Sequence, residues 1–215
     1  MYNDISGIIL SGGKSTRMGE NKSLMKIGSK TIIEHVRDLM KNIFSEVILI
    51  TNTPDEYGFL GLDTYKDIYT QMGPLAGIHS GLTYSSTEKN FVISCDIPLM
   101  TEQMIKYLIE YKTDKPITIA KADGFIQQLC GVYNKSILSL AEKILSNQLN
   151  EEGRDSEQKK RGCKVLGLID IAGAEIIDAE SLPFYQKDIF FNMNKRDDYE
   201  VLKKRIETST IISSY

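Results

Sequence analysis

Leu10-Ser11-Gly12-Gly13-Lys14-Ser15-Thr16-Arg17-Met18-Gly19, with Lys22 three residues further on, follows directly on residues 5–10, a short apolar run that reads as a β-strand. In a parallel sheet, ligands sit beyond the carboxyl ends of the strands. Paired glycines there let backbone N–H groups approach phosphate oxygens without a Cβ in the way. Lys14, Arg17, Lys22 and Lys26 add positive charge to the same stretch. The plain alternative is a surface loop carrying solvated cations. Two other phosphate signatures fail on spacing. Gly13-Lys14-Ser15 matches the end of G-x-x-x-x-G-K-[ST], but the leading glycine of that motif would fall on Ile8, inside the strand. A G-x-G-x-x-G fingerprint is absent.

Outward from this segment, β-rich runs alternate with amphipathic helical patterns, as in a parallel-sheet α/β domain. Residues 31–43 place Ile32, Ile33, Val36, Leu39, Met40 and Ile43 at helical spacing. Strands are expected at 47–51, 62–65, 90–95, 117–120 and 129–133. Helices are expected at 75–84, at 101–111 with Thr101 as cap, and at 136–145. The polar run 147–164 reads as a long surface loop or cover, and as the one candidate insertion. The expected fold class is α/β, with a Rossmann-like, mostly parallel sheet and helices on both faces.

With 215 residues, one domain spanning 1–215 is expected. Lys and Arg number 26 against 29 Asp and Glu, a net charge of −3 without a concentrated basic stripe, which argues against a nucleic-acid surface. No stretch reaches the ~18 apolar residues of a membrane span, and the N-terminus lacks a secretory pattern. Cys95, Cys130 and Cys163 are odd in number and far apart, which suits buried thiols in a reducing cytoplasm. With no C-x-x-C pair and only His35 and His79, both within helical patterns, a zinc site is not expected.

The glycine segment resembles the L-x-G-G-x-S-x-R-M-G-x-x-K signature of nucleotidyltransferases that make nucleotide-linked sugars and cofactors. Within that superfamily the match is to the molybdenum cofactor guanylyltransferases. Asn52 after its strand, Asp67, Gly73-Pro74-Leu75-Ala76-Gly77, Cys95-Asp96-Ile97-Pro98, Gln127 with 129–133, and Asn192-Met193-Asn194 are similar to further motifs of that family. Gln128 departs from the family's usual proline, and Lys195-Arg196-Asp197-Asp198 departs from its T-P-E-D/E. The resemblance implies a nucleotide-diphospho-sugar transferase type of fold and transfer of GMP from GTP to molybdenum-molybdopterin. It further implies that Leu10, Ser11, Gly12, Gly13, Lys22, Asn52, Asp67, Gly73, Gly77 and Asp96 bind GTP. Residues 1–100 would be mainly the nucleotide part and 117–215 mainly the molybdopterin part, where Gln127 and Arg161 would face the acceptor. A cytidylyltransferase acting on molybdopterin or another phosphorylated small molecule, or a non-catalytic nucleotide-binding carrier of the cofactor, are the alternatives. Transient contact with cofactor-carrying proteins or molybdoenzymes, a monomeric state and a cytoplasmic location are the further expectations.

The residues carry the same chemistry on their own. Nucleotidyl transfer is an attack on an α-phosphorus among groups that are all anionic, so repulsion is the main obstacle. Mg²⁺, or Mn²⁺ in its place, with Lys and Arg around it neutralises that charge. Asp96, at the end of an apolar strand, is the expected metal ligand. The resemblance to the superfamily implies that Asn192 or Asn194 completes the coordination through an amide oxygen, and their alternate spacing on an extended segment directs only one of them to it. Arg17 suits bidentate phosphate contact, and Lys22 suits a point charge. Arg17, Lys22 and Asp96 are therefore the expected catalytic residues.

Overall fold

Side chains alternate between two faces along each central strand, and this alternation builds the molecule. In β1 (Tyr2–Leu10), Ile5 and Ile9 point to one side, Ile8 and Leu10 to the other, and all four are buried. The same two-fold split runs through β4 (Phe44–Ile50) and β6 (Lys89–Ser94), so both faces of the sheet need a cover of helices. We describe a computed structural model, which covers residues 1–12, 21–150, 165–193, 198–200 and 202–203.

Seven strands form one sheet in the order β5-β4-β1-β6-β8-β7-β9, with β5 at Asp63–Tyr65, β7 at Ile117–Ala122, β8 at Phe125–Asn134 and β9 at Glu175–Asp178. Pairings are parallel except for the two that β8 makes, with β6 and with β7. The sheet is thus mostly parallel, as expected. β7 and β8 run further than the sequence pattern suggests and join through the two-residue turn Asp123-Gly124, with positive φ at both. At Gly131 the strands approach so closely that a Cβ would lie 2.6 Å from the Thr118 carbonyl oxygen.

Helices α1 (Ile32–Ile43) and α3 (Glu102–Glu110) cover one face; α2 (Pro74–Tyr84), α4 (Leu138–Asn150) and α5 (Val165–Ala172) cover the other. Helix α1 begins with a reciprocal capping box. The Glu34 carboxylate accepts from the Thr31 N–H at 2.7 Å and the Thr31 hydroxyl accepts from the Glu34 N–H at 3.4 Å. Thr101 caps α3 through the Met104 N–H at 3.3 Å. A small hairpin, β2 (Lys26–Ile27) with β3 (Lys30–Thr31), precedes α1. Its Ile27 packs with Ile32, Met193 and Leu202, which ties the start of the chain to its C-terminal segment.

One expectation is corrected. The polar run 147–164 does not begin as a loop, because α4 continues to Asn150. At this end of the helix Asn147 is exposed while Leu145 stays buried. The remainder of that run, from 151, lies outside the described residues. No helix among the described residues is long and apolar enough to cross a membrane.

Candidate active site

The register of the sheet brings the candidate residues to one edge. Leu10 lies opposite Ile50 on β4 and Ser94 on β6, and Ile50 lies opposite Tyr65 on β5. Four parallel strands therefore end level. The residues just beyond them are Ser11 and Gly12, Asn52, Asp67, and Cys95 with Asp96. Backbone bonds fasten this rim: Ser11 N–H donates to the Ile50 carbonyl at 2.9 Å, Thr51 N–H to Tyr65 at 2.9 Å, and Cys95 N–H to Leu10 at 3.0 Å.

At the β4–β5 side, Asn52 and Asp67 hold one another. The Asn52 amide nitrogen donates to the Asp67 carboxylate at 2.7 Å, and the Asp67 backbone N–H donates to the Asn52 side-chain oxygen at 3.3 Å. Burial pushes the Asp67 carboxyl above its ordinary range, and the Asn52 bond offsets part of that. A Cβ added at Gly77 would lie 3.4 Å from Leu10 and 3.7 Å from an Asp67 oxygen, so Leu10, Asp67 and Gly77 share one corner. Gly73 caps the start of α2 with φ 75°, a conformation that L side chains rarely adopt, and Pro74 at the first helical position fixes the turn.

At the β6 side, Asp96 meets Lys22 and Asn192. Burial raises the Asp96 carboxyl above its ordinary range; hydrogen bonds from Ser94 and Asn192 and the charge of Lys22 offset part of the rise. One carboxylate oxygen, Oδ1, is buried with no hydrogen-bond partner among the described residues. The neighbouring backbone is tied in as well, with Met193 N–H donating to the Asp96 carbonyl at 3.2 Å and Lys22 Nζ to the Met193 carbonyl at 3.3 Å. Three distant parts of the chain meet here.

This arrangement suits a hard divalent cation. Among the described residues no three His, Cys, Asp or Glu side chains cluster as a closed metal cage. Magnesium usually takes one or two carboxylates and completes its shell with water and substrate phosphate oxygens. An orphaned, buried carboxylate oxygen beside an asparagine fits that pattern. Asp96 and Asn192 would hold the ion, and when bound it would neutralise phosphate charge.

Of the other expected residues, Gln127 lies on β8 three residues before Cys130, which pairs with Ile93 near the carboxyl end of β6. The Gln127 amide nitrogen donates to Ala122 and Phe125 carbonyls of the β7–β8 hairpin, at 3.2 and 3.5 Å. Gly13, Lys14, Arg17, Arg161 and Asn194 lie outside the described residues. The sequence reading missed Asn21, Ser23 and Tyr57, which form a hydrogen-bonded group with Ser11 behind the rim. None of them belongs to a motif, and only the fold brings Tyr57 against the other three.

Comparison with known proteins gives the family of the chain. The model of the MobA-like NTP transferase domain matches residues 7–159. A protein of Carboxydothermus hydrogenoformans named "probable molybdenum cofactor guanylyltransferase" is 37% identical over 198 residues, covering 91% of this chain and 93% of its own. One of the same name from Clostridium perfringens is 35% identical, covering 94% and 98%. The crystal structure of molybdopterin-guanine dinucleotide biosynthesis protein A from Archaeoglobus fulgidus superposes with a TM-score of 0.76 at 20% identity, over 94% of this chain and 99% of that one, a likeness of fold. A family model matching well over half of the chain, with relatives of this identity along nearly its whole length, establishes that the chain belongs to the MobA-like NTP transferase family.

Proposed function

We infer that the protein is a nucleotidyltransferase that joins GMP from GTP to the terminal phosphate of molybdenum-molybdopterin, giving the guanine dinucleotide cofactor and pyrophosphate. The observation that carries this reading is the level rim of strand ends. It sets Ser11 and Gly12, the Asn52–Asp67 pair and the Asp96–Asn192–Lys22 group along one edge. The names of the homologous proteins support the choice of nucleotide and acceptor.

In this reading an oxygen of the acceptor phosphate attacks the α-phosphorus of GTP. The bond between that phosphorus and the bridging oxygen to the β-phosphate breaks, and pyrophosphate leaves with the electron pair. The rim residues position the nucleotide, with Asn52 and Asp67 offering donors and acceptors to the guanine or ribose. Lys22 and Arg17 supply positive charge along the triphosphate, where charge stabilisation rather than proton transfer limits the rate. Asp96 and Asn192 would hold Mg²⁺, or Mn²⁺ in its place, which would supply charge neutralisation to the phosphates. Residues 1–100 then form mainly the nucleotide side and 117–215 mainly the acceptor side, with Gln127 and Arg161 assigned to the latter.

The test is incubation with molybdenum-molybdopterin and Mg²⁺ and each nucleoside triphosphate in turn, with the product identified by mass and pyrophosphate measured. A guanine dinucleotide product formed only with GTP is expected. A cytosine product would move the assignment to a cytidylyltransferase, and nucleotide binding without pyrophosphate release would make the protein a carrier.

A further inference from the structure

Tyr57 lies in the short turn region after β4, between two single 3-10 turns, Pro54–Glu56 and Gly58–Leu60, and only 2% of it is exposed. Its hydroxyl is the meeting point of three polar side chains. Ser11 Oγ donates to it at 2.8 Å, Asn21 Nδ2 donates to it at 2.8 Å, and Ser23 Oγ lies 2.8 Å away. A phenol can accept two hydrogen bonds and donate one. Ser11 and Asn21 fill the acceptor positions, so the Tyr57 proton goes to Ser23.

The rest of the group closes consistently. Ser23 Oγ donates onward to Asn21 Oδ1 at 2.8 Å, and the Ser23 backbone N–H also donates to that oxygen at 3.2 Å. The second amide hydrogen of Asn21 reaches Glu56 at 2.6 Å. Cys95 Sγ, 3.5 Å from Ser11 Oγ, donates to it. Each hydrogen bond of the group thus has one consistent direction.

The chain positions of the partners give the group its meaning. Ser11 stands at the start of the glycine-rich phosphate segment; Asn21 and Ser23 stand at its end, on either side of Lys22. Both ends are bonded to one buried oxygen. We propose that Tyr57 is a positioning residue for the reaction, its hydroxyl fixing Ser11 relative to Asn21 and Ser23, and with them the places of Gly12 and Lys22, before the triphosphate arrives. Groups held in place before the ligand arrives bind it more tightly than groups the ligand must itself order. The role rests on the nucleotidyltransferase reading, because it is a role toward a bound triphosphate.

The experiment compares Tyr57→Phe and Ser23→Ala with the wild type, measuring Kd for GTP with Mg²⁺ by calorimetry, KM for each substrate, and circular dichroism at the assay temperature. Tyr57→Phe is expected to raise Kd and KM for GTP about tenfold, and Ser23→Ala about threefold, with KM for molybdenum-molybdopterin unchanged in both. A purely structural role would lower the folded fraction and so the maximal rate, leaving the GTP constants of folded molecules where they were. Wild-type GTP affinity in folded Tyr57→Phe would overturn the proposal. Should that variant not fold, unchanged GTP affinity in Ser23→Ala would overturn it. A wild type that binds CTP and not GTP would overturn the guanylyl reading alone, and the same variants would then be compared with CTP. A wild type that binds neither overturns both.

Discussion

Replacing Asp96 with Asn isolates the charge of the proposed metal ligand from its shape. In the ligand-free fold, burial holds this carboxyl above its ordinary value of 3.8, and one of its oxygens has no partner among the described residues. A raised folded-state pKa means that the native state binds the proton more tightly than the unfolded chain does. The stabilisation from this group is therefore present below the ordinary carboxylate range and lost as pH rises through the interval above it. At pH 7 the ionised side chain is a cost that a bound cation would offset. Asp96→Asn removes the charge, so the ligand-free variant should be as stable as the wild type at pH 7 or more stable. The upper bound is about 1–3 kcal/mol, the cost of an unsatisfied buried polar atom. At ~2–4 °C per kcal/mol for a domain of this size, the melting temperature should stay level or rise by a few degrees, and the difference should shrink toward pH 4. Transfer should respond in the opposite direction. A metal ion contributes several kcal/mol of transition-state stabilisation, and a tenfold rate change corresponds to about 1.36 kcal/mol, so a loss of at least ~100-fold is expected. Transfer assays over a range of Mg²⁺ concentrations, run beside melting curves at pH 4 and 7, measure both effects. Full activity with unchanged magnesium dependence would refute the role. Lost stability with activity kept would make Asp96 a turn-capping residue.

Lys22→Ala and Arg17→Ala should each remove a charge-assisted contact of about 1.5–3 kcal/mol to the triphosphate and lower turnover at least tenfold with the fold intact; near-normal GTP affinity and rate in both would refute their assignment. Gly131→Ala should destabilise the protein by about 1–3 kcal/mol, because the new Cβ would meet the Thr118 carbonyl oxygen and Ile119 Cγ2 at 2.6 Å where β7 and β8 are paired. An unchanged melting temperature would show that the ladder yields there.

The first half of the chain was legible because each signal in it is local. Ile32, Ile33, Val36, Met40 and Ile43 fall on one helical face and are all buried, and Thr31 and Thr101 cap the helices they precede. Asp96 stands just past the end of β6, as an apolar run ending in Cys-Asp suggests. Farther along, the signals weaken for physical reasons. Helix α5 is concealed because exposed Leu166 and Ile171 are as apolar as buried Val165, Leu168 and Ile169, which erases the period. Strand β9 has four residues at the sheet edge, with Ile176 exposed and Ile177 buried, too short a stretch to separate from a turn. Of the site, Asn52, Asp67 and Asp96 were readable from motif and strand end. The hydrogen-bonding group around Tyr57 was not, since Ser11, Asn21, Ser23 and Tyr57 meet only after the chain folds back.

The meeting of Lys22, Asp96 and Asn192 also sets a timetable for biosynthesis. Strands β5, β4, β1 and β6 are adjacent in the sheet and all lie before residue 95, so a growing chain can assemble that half as soon as it emerges. Met193, whose N–H bonds to the Asp96 carbonyl, comes nearly a hundred residues later. At a synthesis rate of about 5–20 residues per second, the nascent chain passes roughly 5–20 s with its acidic strand end made and its asparagine still untranslated. During that interval the early half has the glycine segment and both groups of the lysine–aspartate pair, but not the third group beside them. If the proposed roles of Asp96 and Asn192 hold, competence for transfer is acquired only near the end of translation.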